Sequence, residues 1–99
     1  MRHKREGETL TVLLEGELDQ SHAEAMRNEL DGLLSDTKIT HLIFDLSRLT
    51  FMDSSGIGML LGRYRLMTGR NGKVTVKNPS ARMDRIFRMS GVYQVIEKA

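Results

Sequence analysis

The chain has no cysteine and no tryptophan, a single proline, and aromatic residues at only 5% of its 99 positions. Without cysteine, a disulfide framework, a thiolate metal site and a cysteine nucleophile are excluded, and a reducing, cytoplasmic setting is the matching expectation. With so few aromatics, the core is expected to be aliphatic, with some of the seven methionines filling gaps. Long apolar runs are missing too. None approaches the roughly 20 residues that a membrane-spanning helix needs, and the basic start, Met1–Glu6, has no apolar segment behind it as a secretory signal would. Charge of one sign is equally scarce. Fifteen Lys and Arg face thirteen Asp and Glu, and no basic stripe with stacking aromatics marks a nucleic-acid surface. Phe44, Phe51, Tyr64, Phe87 and Tyr93 mostly read as core. Neither nucleic acid nor membrane is an expected partner.

What is present is a globular balance, 39% hydrophobic and 28% charged, too apolar for a disordered chain. Residues 1–6 read as a short edge strand or a frayed end. Leu10, Val12 and Leu14 alternate and predict a strand over Thr9–Leu14, closed by Gly16-Glu17-Leu18-Asp19 as a polar loop. Ser21 and Glu24 have the form of a capping box. Ala23, Met26, Leu30, Leu33 and Leu34 then predict a helix over Ser21–Ser35. His41–Leu46 reads as a strand buried on both faces, with Ser47-Arg48 as a turn. Ile57, Leu60, Leu61 and Tyr64 predict a second helix over Ser54–Thr68, stopped by Gly69 and Asn71-Gly72. Lys73–Lys77 reads as a strand. Asn78-Pro79-Ser80 opens a third helix, striped by Met83, Ile86 and Phe87 and ended at Ser90-Gly91. Val92–Ile96 reads as a last short strand. Alternation of this kind predicts an α/β fold: a small, mixed, mostly parallel sheet flanked by helices, in one domain over residues 1–99.

Catalysis finds little footing in these residues. The nucleophile-elbow pattern is absent around Ser54 and Ser55, and His3, His22 and His41 are the available bases, without an orienting partner. Metal binding has no support in the spacing of the three histidines. Gly56, Gly58 and Gly62 are a near miss to the dinucleotide fingerprint, which keeps a small nucleotide-binding module as an alternative, but the next strand ends in Lys77-Asn78 rather than in an acidic residue. Arg82, Arg85 and Arg88 on the third helix, and Arg63, Arg65 and Arg70 on or just after the second, form either solvated faces or docking surfaces.

The polar knot Asp53-Ser54-Ser55 is the most informative stretch. It lies at a predicted helix start, where backbone N–H groups are unpaired and negative charge is favoured. Asp53 or Ser54 can cap that helix. One cap needs one side chain, however, and three oxygen-bearing side chains crowd before two small residues. A phosphate on one of the serines would meet the helix N-terminus but add almost two charges beside Asp53. Cap and modified switch both stay open on these grounds, and the two serines are not distinguished.

Phe51-Met52-Asp53-Ser54-Ser55-Gly56-Ile57-Gly58 followed by Leu61-Gly62-Arg63-Tyr64 resembles the signature of the bacterial anti-sigma factor antagonists, which are small STAS domains. Gly16-Glu17-Leu18-Asp19 is similar to the family's earlier loop and Phe87-Arg88-Met89-Ser90-Gly91 to its later one. The match runs over nearly the whole chain and is nearest to the sporulation branch, which acts on the anti-sigma factor of sigma F. The resemblance implies a non-enzymatic protein without cofactor. It implies binding to an anti-sigma factor serine kinase with release of the sigma factor, loss of binding when the kinase phosphorylates Ser55, and reversal by a serine phosphatase of the metal-dependent class. Asp19, Asp53, Ser54, Gly56 and Gly58 would frame that serine in the partner contact. Relatives continue into a further C-terminal helix; with the sequence stopping at Ala99, either the chain is cut short of that helix or this member lacks it.

Overall fold

The computed structural model describes residues 1–99. Its strands are β1 (Arg2–Glu6), β2 (Thr9–Leu18), β3 (His41–Met52), β4 (Lys73–Lys77) and β5 (Glu97–Lys98), and its helices are α1 (Gln20–Leu33), α2 (Ser54–Thr68) and α3 (Ala81–Ser90). The strands stand in chain order across one sheet. β1 and β2 pair antiparallel, and every later pair is parallel. This is the expected mixed, mostly parallel sheet with helices.

Register decides which side of the sheet becomes core. Leu10, Leu42 and Val74 stand abreast on β2, β3 and β4, as do Val12, Phe44 and Val76. All six are buried in one cluster with Leu30 of α1 and Leu34 just after it, Met59, Leu60 and Met67 from α2, and Met83 and Phe87 from α3. The three helices therefore cover one face. On the other face Thr11, Leu13, His41 and Ile43 stay half-buried. His41–Leu46 is thus not buried on both faces, contrary to expectation; it alternates, as a strand covered on one side does.

Several boundaries depart from the sequence reading. β2 continues through Gly16 to Leu18, and β3 runs through Ser47-Arg48 without a turn. The extra length is paired Glu15↔Arg48, Gly16↔Leu49, Glu17↔Phe51 and Leu18↔Met52, across two register shifts. Such bulges insert a residue and bend the strand, so the alternation fails locally while the ladder persists. Gly16, at φ 76°, takes a backbone conformation open chiefly to glycine. Helix α1 starts one residue earlier than expected, capped by Asp19. Val92–Ile96 is not a strand: Val92–Gln94 forms a 3-10 turn that buries Val92, Ile96 follows it into the core, and β5 is only the two residues beyond.

Helix α2 is rotated from its predicted stripe. Its buried set is Gly56, Met59, Leu60, Arg63 and Met67, whereas Ile57, Leu61 and Tyr64 are partly buried at the margin of the core. Leu61 and Tyr64 line a cleft shared with Val92 and Val95. Helix α3 follows expectation more closely. Ser80 Oγ accepts from Met83 N–H at 3.1 Å, and Gly91 at φ 82° ends the helix. Arg82, Arg85 and Arg88 are exposed, and Arg88 pairs with Asp84 at 2.8 Å.

Gly56 sets how closely α2 sits on the sheet. A Cβ there would lie 2.6 Å from the Leu18 carbonyl oxygen and 2.6 Å from Met52 Cγ. Gly56→Ala is expected to destabilise the fold by about 1–3 kcal/mol, the usual cost of overpacking. Urea denaturation measures this, and an unchanged midpoint would contradict the close packing.

Candidate functional site

Leu18 and Met52 are the last paired residues of β2 and β3. The chain leaves both strands there, which brings Asp19 and Asp53 to one corner. Each caps the helix that follows it. Asp19 Oδ1 accepts from His22 N–H at 3.1 Å and from the Ser21 hydroxyl at 2.8 Å. The Ser21 hydrogen bond, then that of His22, holds the Asp19 carboxyl below its ordinary range. Asp53 Oδ1 accepts from Ser55 N–H at 2.9 Å and Gly56 N–H at 3.3 Å, while Oδ2 accepts from Gln20 N–H at 3.3 Å. One carboxylate thereby ties the first turns of α1 and α2 together.

These bonds settle which residues cap. Ser21 donates to Asp19, so the Ser21–Glu24 capping box does not form. Ser54 is not the cap of α2; Asp53 is. The hydroxyls of Ser54 and Ser55 enter no hydrogen bond within the chain, Ser54 is exposed, and Ser55 is half-buried. Asp53→Ala is expected to cost about 1 kcal/mol or more, as loss of an N-cap does, because Gln20 N–H loses its acceptor as well. Thermal denaturation reads this as a midpoint lower by about 4–8 °C per kcal/mol for a chain of this size. A variant as stable as the wild type would contradict the clamp.

The glycines of the knot differ. Gly58 is exposed, with open space where a Cβ would point, whereas Gly56 is buried and faces inward. Openness at this corner belongs to Gly58; Gly56 acts on any contact only by setting the height of the first turn of α2. Phe51, expected in the core, is 41% exposed. Strand β4 pairs with β3 only as far as Asp45↔Lys77, leaving the end of β3 unsheltered on that side. Arg63, read with the arginines of exposed faces, is buried. A signal was available: residue 63 lies four after Met59 and four before Met67, both core, and so falls on their helical face.

The geometry also bears on chemistry. His22 meets both Asp19 Oδ1 (2.7 Å) and Ser21 Oγ (3.2 Å) through the same atom, Nδ1. A relay needs the two ring nitrogens to serve different partners, so this trio is not arranged as one. At the start of α2 the N–H groups of Ser55 and Gly56 are taken by the Asp53 carboxylate, which occupies the place a nucleotide phosphate would use. No helix is long and apolar enough to cross a membrane.

Comparison with known proteins gives a consistent set. A family model described as "Mlab, STAS domain" matches residues 1–97. An "Anti-sigma F factor antagonist" of Paenibacillus polymyxa is 34% identical, over 97% of this chain and 80% of its own length. The solved "Anti-Sigma Factor Antagonist SpoIIAA in its Unphosphorylated Form" superposes with a TM-score of 0.80 at 30% identity, covering 99% of this chain and 86% of the other. The "Bacillus Cell Fate Determinant SpoIIAA in the Phosphorylated Form" superposes with a TM-score of 0.78 at 33% identity, covering 99% and 89%.

Proposed function

The chain belongs to the STAS-domain family, and from that premise we propose that it is an anti-sigma factor antagonist controlled by phosphorylation of Ser55. Unphosphorylated, it binds an anti-sigma factor that is also a serine kinase and so releases a sporulation sigma factor. The kinase transfers a phosphoryl group from ATP to Ser55 Oγ, binding ends, and a serine phosphatase of the metal-dependent class restores it. The protein acts by binding, in the cytoplasm, as a single domain, without a catalytic residue, cofactor or nucleic-acid contact of its own. Asp19, Asp53, Ser54 and Gly58 surround Ser55 in the partner contact, with Gly56 holding the helix in place.

The observation that carries this is the division of labour at the knot. Asp53 does the capping, and the Ser55 hydroxyl is left unused at a half-open corner. Relatives named as anti-sigma factor antagonists, and a related fold seen both with and without phosphate, support the assignment. The nucleotide-binding alternative at Gly56, Gly58 and Gly62 has less support, since Asp53 fills the anion position and Gly56 is consumed by packing. A pull-down from the native cytoplasm with Ser55→Ala as bait tests the proposal. An anti-sigma factor kinase should be retained by that bait and lost with Ser55→Asp. Equal recovery with both baits would overturn the switch.

A further inference from the structure

Two glycines in α2 do nothing for the fold. A Cβ on Gly58 or Gly62 would meet no atom within 4 Å, yet glycine inside a helix weakens it relative to alanine. Gly56 is the contrast, since a Cβ there would collide with Leu18 and Met52. Gly58 and Gly62 lie four apart with Ser55, on the side of α2 that faces α1. They line a groove of about 430 Å³ bounded on the α1 side by Gln20, Ala23 and Arg27.

Arg63 supplies the second, independent observation. Its side chain is nine-tenths buried, and its Nε and Nη1, both closed off from solvent, have no hydrogen-bond partner. Nε lies 3.2 Å from Asp31 Oδ1, but without the alignment of a hydrogen bond, and Asp31 is itself half-exposed. Burial lowers the pKa of the guanidinium; the Asp31 carboxylate opposes that shift, and the nearby Arg27 charge adds to it. Arg63 borders both the groove that begins at Ser55 and its continuation past Gly62 toward Arg65 and Arg70. Along this trough Arg27, Arg63, Arg65 and Arg70 outnumber Glu24 and Asp31. The excess is positive, and the most deeply buried cation, Arg63, sits midway.

We infer that this trough seats an acidic segment of the anti-sigma factor, with its main chain against Gly58 and Gly62 and a carboxylate side chain paired with Arg63. The inference rests on the function proposed above and extends the contact from Ser55 along α2 by eight residues, about 12 Å. It also gives the switch a target. A phosphate on Ser55 stands at the mouth of the trough and repels the acidic segment that enters it.

Gly62→Ala separates folding from docking. Its thermal midpoint should hold or rise, because nothing opposes the added methyl group. Its Kd for purified anti-sigma F factor from the same bacterium, measured with ADP by titration calorimetry, should rise at least tenfold. Arg63→Met keeps the buried stem without the charge and should also weaken binding at least tenfold, with Arg63→Lys recovering part of it. Gly62→Ala, or a folded Arg63→Met, binding within twofold of wild type overturns the inference. If Ser55→Asp still fails to bind in that case, the switch stands without the trough. If the wild type itself does not bind, the proposed function falls and the trough with it. Should Arg63→Met not fold, Gly62→Ala decides alone.

Discussion

Ser55→Asp is expected to lose at least tenfold in affinity for the anti-sigma factor kinase, while Ser55→Ala binds as the wild type does and accepts no phosphate. The reason lies in what already occupies the start of α2. An isolated helix N-terminus would welcome a new anion by about 0.3–1 kcal/mol. Here that position is filled by the Asp53 carboxylate, with Oδ1 at 2.9 Å from Ser55 N–H. Two like charges about 4 Å apart near a surface repel by roughly 4 kcal/mol at an effective dielectric constant of 20. Repulsion outweighs the helix contribution, so a negative group on Ser55 is driven outward, toward whatever docks on the corner. The fold itself is expected to survive, because Ser55 Oγ holds nothing in the unmodified chain. Fluorescence titration of both variants against the kinase measures the effect, and equal affinities would remove the electrostatic basis of the switch.

Phe44→Ala is expected to cost about 3–5 kcal/mol, the range for a fully buried phenylalanine. Phe44 is completely buried and stands between Val12 on β2 and Val76 on β4, at the centre of the helix-covered face. Total stability for a domain is only about 5–15 kcal/mol, so this single change consumes a large part of it. Urea denaturation should show a much lower midpoint or a chain partly unfolded in buffer. Phe51→Ala is the control, because Phe51 is 41% exposed and its loss should cost far less stability. A Phe44→Ala variant within about 1.5 kcal/mol of wild type, the cost of a volume-conserving swap, would mean that the core does not depend on this contact.

Much of this architecture was legible in the chain, for local reasons. The alternation in Leu10-Val12-Leu14, the helical spacing through α1, the Gly91 stop and the Ser54–Thr68 extent of α2 are each encoded within a few residues. What escaped is non-local. The ends of β2 and β3 lose their alternation at two bulges, and only pairing with each other keeps them extended. That pairing is also what brings Asp19 beside Asp53, a juxtaposition that thirty-three residues of intervening sequence conceal. Ser21 offered a good cap by pattern but lost to Asp19, whose carboxylate also takes the Ser21 hydroxyl and the His22 N–H. Arg63 reads as a surface arginine by its charge, and only its helical register with Met59 and Met67 points inward. At the knot the residue types pointed to a cap and to a modifiable hydroxyl, and the hydrogen bonds of Asp53 assign the first role.

Phosphosite mapping is the most direct measurement on the central claim. The wild-type chain is incubated with the anti-sigma factor kinase and ATP, digested, and its peptides are sequenced by mass spectrometry. One phosphate, on Ser55, is the expected result, with none on the Ser55→Ala chain. Phosphate on Ser54 or elsewhere, or modification that persists in Ser55→Ala, would contradict it.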